Sequence, residues 1–217
     1  ILKTYGGQEN LNMTLLALNL SNYVNGVAKQ HQRVSKKMFA GYEINAITNG
    51  IHSFTWTGQS FRKLYDQYLP GWANEPELLA RVADGIPNDE IWQSHKEQKK
   101  TLIDYVNALT NMGMTHDAFT IGFARRATEY KRAYLLFSDL ERLRKINRKG
   151  KIQLVFAGKA HPKDTQGKKL IEQLFGFANQ LKPDIKMTYL ANYDIDMAQK
   201  LLGGVDVWLN TPLKPLE

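Results

Sequence analysis

Residues 121–137, "IGFARRATEYKRAYLLF", decide how the second half of the chain is read. The left half is an apolar run of strand length, and the right half carries apolar residues at helical spacing. At the join stand Arg125 and Arg126, followed by Thr128, Glu129, Tyr130, Lys131 and Arg132. A strand running straight into a helix is the building unit of a parallel α/β sheet, and such sheets bind ligands beyond the carboxyl ends of their strands. Guanidinium and ammonium groups beside a helix amino terminus suit a phosphate.

The same grammar continues on both sides of that stretch. "AFTIGFA" (118–124), "IQLVFAG" (152–158), "KMTYLA" (186–191) and "VDVWLN" (205–210) read as strands buried on both faces. Amphipathic helices are predicted between them at 129–147, 164–181 and 194–203. Alternation of this length predicts a Rossmann-like parallel sheet with right-handed crossovers. Two further strand ends, "GKAHPKD" (158–164) and "ANYD" (191–194), are chemically distinctive. One cationic turn could simply be solvated, but three marked turns on one sheet edge favour a site.

The first half is helix-rich. Leu11, Leu15, Leu18, Tyr23 and Val27 recur at helical spacing and predict one helix over 10–31. Gly26 weakens that helix and marks a close approach of another backbone or a ligand. "YEINAIT" (42–48) predicts a short strand ending at the Asn49-Gly50 turn. Two short helices are expected over 60–86, around Pro70, Gly71 and Pro76. A longer one is expected from Pro87 to Thr110, capped by Asn88 or Asp89. Lys96, Glu97, Lys99 and Lys100 read as its solvated face, and Asp206 as a capped or paired structural acid. The division drawn from this pattern is 1–115 and 116–217.

Composition narrows the classes. The chain has 217 residues, 43% hydrophobic, no cysteine and a formal charge of +8. Disulfides and thiolate metal sites are excluded, and a cytoplasmic origin is expected. The charge suits an anionic partner or one side of a distribution balanced elsewhere. No apolar run reaches transmembrane length, and no arginine-rich arm, zinc finger or ribonucleoprotein motif is present, so neither membrane nor nucleic acid is expected as a partner. G-x-G-x-x-G, Walker and G-x-S-x-G motifs are missing. His31, His52, His95, His116 and His161 fall into no metal-ligand spacing, and no carboxylate pair stands out. An opening on Ile1 and a close on "PLKPLE" lead us to expect a piece of a longer protein.

"YVNGVAKQH", "ITNGIHSFTW", "FARRATEYKRAYLLF", "FAGKAHPKD", "ANYD" and "DVWLNTPLKPLE" resemble, in order and spacing, the successive signatures of α-glucan phosphorylases, the glycogen/maltodextrin phosphorylase family. The resemblance runs from about residue 10 to 217 and is stronger to the short bacterial and archaeal branch. It implies a two-domain GT-B enzyme of which the chain is the central part: 1–115 the end of the N-terminal domain with interdomain helices, 116–217 part of the C-terminal Rossmann-like domain. The implied reaction is retaining phosphorolysis of terminal α-1,4-linked glucose, with inorganic phosphate, to glucose 1-phosphate. The implied cofactor is pyridoxal phosphate, acting through its phosphate group, in a homo-oligomer.

Residue by residue, the resemblance assigns Arg125, Trp56 and Tyr193 to the cofactor. It assigns Arg126 and Lys131 to the substrate phosphate, and Tyr130, Asn49, Asn22 and Glu217 to substrate contacts. Asn22 and Asp194 stand where the animal type carries histidine and arginine. The family's Schiff-base lysine follows a segment that starts where this chain stops, so Lys159 and the other lysines are not nominated for it. Two other readings stay open: a nucleotide-sugar glycosyltransferase of the same architecture, such as a glycogen synthase, and a non-catalytic carbohydrate-binding remnant.

Overall fold

The computed structural model describes residues 2–214, whose contacts divide them into two units, 2–51 and 52–214. In the first, helices α1 (Leu2–Gly6) and α2 (Met13–Leu20) precede strand β1 (Asn25–Gly26), helix α3 (Lys29–Met38) and strand β2 (Asn45–Ala46). Asn12 caps α2 by accepting from the N–H groups of Thr14 and Leu15 at 3.0 Å. Asn19 then ties the unit together. Its amide donates to the Tyr5 carbonyl at 2.8 Å, and its side-chain oxygen accepts from the Tyr42 hydroxyl at 2.9 Å.

The single helix expected over 10–31 is therefore two helices with a strand between them. Helical spacing of apolar residues loses here to backbone pairing. The Val24 and Gly26 carbonyls accept from Asn45 and Ile47 as β1 and β2 run parallel. Gly26 is needed because a Cβ would stand 2.8 Å from the backbone nitrogen of Gln32 in α3.

The second unit opens with α4 (Ser53–Trp56) and α5 (Gln59–Tyr68), then a 3-10 turn (Pro76–Arg81) with α6 (Val82–Gly85), and α7 (Asn88–Thr110). The chain reads on as β3 (Phe119–Ala124), two 3-10 turns (Glu129–Lys131, Ala133–Phe137), α8 (Leu140–Lys149), β4 (Ile152–Ala157), α9 (Thr165–Leu181), β5 (Lys186–Leu190), α10 (Ile195–Gly204) and β6 (Val207–Trp208). The four strands form one sheet in the order β5-β4-β3-β6, and every pairing is parallel. β4 is buried along its whole length, as its unbroken apolar run requires.

Alternation along the strands sends side chains to two cores. On one face Phe123, Leu154, Phe156 and Met187 pack with Phe137, Leu143, Leu174 and Leu181 from the segments around α8 and α9. On the other, Ala124, Val155, Ala157 and Leu190 pack with Leu102, Ile103 and Val106 of α7 and Met197 and Leu201 of α10. Helices thus cover both faces of a parallel sheet, as expected for the second half. A smaller cluster around the fully buried Trp72 joins Leu64, Leu69 and Ile86.

The contacts divide the described residues after Ile51, and the apolar stripe of α7 packs on one face of the sheet. Two local expectations change. α7 has Pro87 at its cap position, with Asn88 already helical and Asp89 and Glu90 in the first turn, so no side chain caps it. The expected helix over 129–147 is broken at Arg132, whose φ of 49° is left-handed. A true helix restarts only where Asp139 caps it through the Arg142 N–H at 2.8 Å.

Candidate anion-binding site

In a sheet ordered this way β3 is the strand where the winding reverses: β4 and β5 lie on one side of it and β6 on the other. A crevice opens beyond the carboxyl ends at such a point. The loop that leaves β3 there is Arg125–Arg132, the cationic stretch of the sequence.

Two neighbours hold that loop. On one side is the start of the β4 loop, where Gly158 has φ +143° and a Cβ would collide with the Arg125 carbonyl oxygen. The Lys159 carbonyl accepts from the Ala127 N–H at 3.1 Å. Glycine is required at 158 so that two loops can lie against each other. On the other side is the segment that follows β6. The Leu213 N–H donates to the Tyr130 carbonyl at 2.7 Å, and the Thr211 hydroxyl donates to the carbonyls of Lys131 and Arg132 at 3.1 Å. The Arg132 guanidinium answers by donating to the carbonyls of Thr211 (2.8 Å) and Pro212 (3.2 Å). Of the four cations in the stretch, Arg132 is thus a brace.

Arg125, Arg126 and Lys131 form the charged cluster. Lys131 is 7% exposed, with its ammonium 4.7 Å from the centre of the Tyr130 ring. Burial pushes the Lys131 amine down from its usual value. The Tyr130 phenol opposes that, and the charges of Arg125 and Arg126 add to it. For Tyr130, burial pushes the phenol up, but the hydrogen bond with Lys131 and the charges of Lys131 and Arg126 together hold it below its ordinary value. Tyr193, in the turn after β5, packs on the same core as Ala124 and Leu190. Burial raises its phenol, while the nearby Arg125 acts in the opposite direction. The structure therefore gathers Arg125, Arg126, Tyr130, Lys131 and Tyr193 at one place. Like charges gathered in partly desolvated space make a place where an anion is favoured.

Trp56 ends α4 and lines a cavity of about 320 Å³ with Phe61, Tyr65, His95, Leu202 and Val205, a lining that contains none of the loop's cations. Asn49 and Asn22 belong to the first unit and are exposed. Asn49 extends the β1–β2 ladder, its N–H donating to the Val27 carbonyl at 3.0 Å. Asn22 precedes β1. Asn49 follows β2 in the chain. Glu217 lies outside the described residues. Asp194 caps α10 through the Met197 N–H at 2.9 Å.

Sequence reasoning passed over three residues of this neighbourhood. Gly158 stood at the junction of "IQLVFAG" and "GKAHPKD" without being singled out. Tyr189, whose phenol burial pushes up to about 12, has its hydroxyl 3.4 Å from where a Gly158 Cβ would stand. Thr128 gave no signal. Its Oγ1 is buried, and among the described residues it is the one such side-chain atom without a hydrogen-bond partner.

A parallel α/β sheet with a braced cationic loop at its reversal point places the second unit in the Rossmann-like class. Comparison with known proteins narrows the class. A model of the family "Carbohydrate phosphorylase" matches residues 2–210. The chain is 38% identical to the glycogen phosphorylase of Aquifex aeolicus, with 96% of this chain and 34% of that protein aligned. It is 35% identical to the maltodextrin phosphorylase of Thermococcus litoralis, with 96% and 28% aligned. To the liver-form glycogen phosphorylase of Homo sapiens it is 22% identical, with 93% and 27% aligned. The chain belongs to the carbohydrate phosphorylase family and spans about a third of the length of the first two relatives. Among the described residues, no helix is long and apolar enough to cross a membrane.

Proposed function

We propose that the chain is the phosphate-gripping part of an α-1,4-glucan phosphorylase, which uses inorganic phosphate to release glucose 1-phosphate from the end of a glucan or maltodextrin. The observation that carries this reading is the braced loop at the reversal point of the sheet, with three cations gathered against Tyr130 and Tyr193. Family membership and the length of its relatives support a two-domain parent, acting in the cytoplasm as a homo-oligomer. The unit boundary after Ile51 supports a passage from first to second domain there, earlier than residue 115.

In this reading Arg126 and Lys131 hold the substrate phosphate, and Tyr130 orients it beside the sugar. The depressed Lys131 amine means that charge repulsion and desolvation are already present before binding, and an entering dianion relieves both. Such pre-set groups stabilise developing charge without reorganising. Asn49, in the first unit, is the candidate for the glucose hydroxymethyl.

The residues also fit a second phosphate, that of pyridoxal phosphate. The Arg125 charge acts on Tyr193, and Gly158 lies against the Arg125 backbone where a Cβ would collide. Arg125 and Tyr193 would hold the cofactor, with Trp56 as a further candidate. When bound, the cofactor supplies a phosphate group that exchanges a proton with the substrate phosphate.

The test is an assay of the full-length protein with maltodextrin. Phosphate-dependent release of glucose 1-phosphate is expected. Phosphate-independent transfer from a nucleotide sugar would overturn the proposal in favour of a synthase. Binding of maltodextrin with neither reaction would point to a non-catalytic remnant. The 217-residue chain alone is expected to show no turnover.

A further inference from the structure

Thr128 is poorly explained as a structural residue. It precedes the 3-10 turn Glu129–Lys131 in an extended conformation, the usual place for a threonine hydroxyl to cap the following N–H groups. It does not cap: the turn has no side-chain cap, and Oγ1 is left buried and unpartnered. Its backbone is fully engaged, with the N–H donating to the Arg126 carbonyl at 2.8 Å and the carbonyl accepting from the Lys131 N–H at 3.1 Å. The hydroxyl lies near enough to the Tyr130 phenol to favour the phenol's ionised form, without reaching hydrogen-bond geometry. A buried hydroxyl left unpaired is unfavourable, and such atoms are rare in folded proteins.

We infer that the Thr128 hydroxyl is a neutral hydrogen-bond donor to the substrate phosphate, completing a grip otherwise made of Arg126 and Lys131. This rests on the phosphorylase reading above and adds a residue to its site. The chemistry follows from the surroundings. Of the groups in this loop only an uncharged donor can approach a phosphate oxygen without adding to the cationic repulsion, which joins burial in depressing Lys131. A hydroxyl also rotates freely to meet an oxygen, which a fixed guanidinium does not. Because the backbone of Thr128 is bonded to Arg126 and Lys131 and its hydroxyl lies beside Tyr130, the ligand assigned to it is the substrate phosphate and not that of the cofactor.

The experiment compares full-length wild type with Thr128→Val, which removes the hydroxyl at nearly constant shape, and Thr128→Ser, which keeps it. Dissociation of inorganic phosphate is measured by calorimetry, cofactor content by absorbance, and KM for phosphate and for maltodextrin separately. Thr128→Val is expected to weaken inorganic phosphate about 30-fold, about 2 kcal/mol, in both Kd and KM, while cofactor content and KM for maltodextrin stay level. Thr128→Ser is expected to stay within about threefold of wild type. If wild type performs phosphorolysis and Thr128→Val binds phosphate as tightly, the inference falls and the function stands. Loss of cofactor with unchanged phosphate affinity would move the hydroxyl to the other phosphate and equally overturn it. A wild type that neither binds phosphate nor releases glucose 1-phosphate overturns both.

Discussion

The two ends of the four-stranded sheet handle positive charge in opposite ways. At the amino end, the acid Asp206 lies just before β6 and accepts from Lys99 at 2.6 Å, from the Thr120 N–H at 2.7 Å and from the His95 ring at 2.8 Å. Its side chain is 6% exposed, and that of Lys99 is 8% exposed. Burial pushes the Asp206 carboxyl up, but the bonds from Lys99, Thr120 and His95 outweigh it and hold the acid below its usual range. At the carboxyl end, Lys131 is as deeply buried; that burial depresses its amine, and the charges of Arg125 and Arg126 add to it. A buried cation beside an acid serves the fold. A buried cation beside other cations feels a repulsion that a bound anion would offset.

Substitutions can break that contrast, beginning with the largest effect. Arg126→Ala in the full-length enzyme should lower kcat/KM for phosphate by about 100- to 1000-fold, with the KM for maltodextrin nearly unchanged, as expected for loss of a group that stabilises reacting charge. Steady-state kinetics with each substrate varied would check it, and the same protein should keep its melting temperature. At the other end the pattern inverts. Asp206→Ala should cost about 3–5 kcal/mol of stability by leaving Lys99 buried without its acid, read from urea unfolding. Replacing Asp206 and Lys99 together by apolar residues of similar size should recover much of that loss.

Gly158→Ala tests the support of the cationic loop. A methyl group at φ +143° and against the Arg125 carbonyl should destabilise by about 1–3 kcal/mol and weaken phosphate binding measurably, coupling the two readouts that the first two substitutions keep apart. The smallest effect is in pH. Because the folded-state pKa of Asp206 is depressed, its contribution is present above the unfolded carboxylate value and lost as pH falls through the folded one, that is, below about pH 4. Acid unfolding followed by circular dichroism should show a shallower pH dependence for Asp206→Asn than for wild type.

Much of the sheet was legible in the sequence because its signals are local. Unbroken apolar runs marked β3, β4 and β5, and Thr165–Leu181 falls within a residue of its expected span. The cationic loop was also read correctly as lying at a strand's carboxyl end. Elsewhere a local signal met a stronger distant one. The periodic residues from Leu11 to Val27 did not make one helix, because pairing with β2 claims the chain at Asn25 and Gly26. Lys99, read as part of a solvated face with Lys96 and Lys100, is buried because its acid comes from a strand 107 positions later.

By itself the sequence determined the alternating α/β order, the absence of thiol chemistry and the cationic character of the loop after β3, since each depends on residue type and short-range spacing. Only the tertiary structure decided that Arg132 braces the loop while Arg126 does not, because the two differ in their neighbours and not in their chemistry. It also singled out Thr128. An unpartnered buried hydroxyl is a property of what surrounds a residue, and no local pattern of letters encodes it.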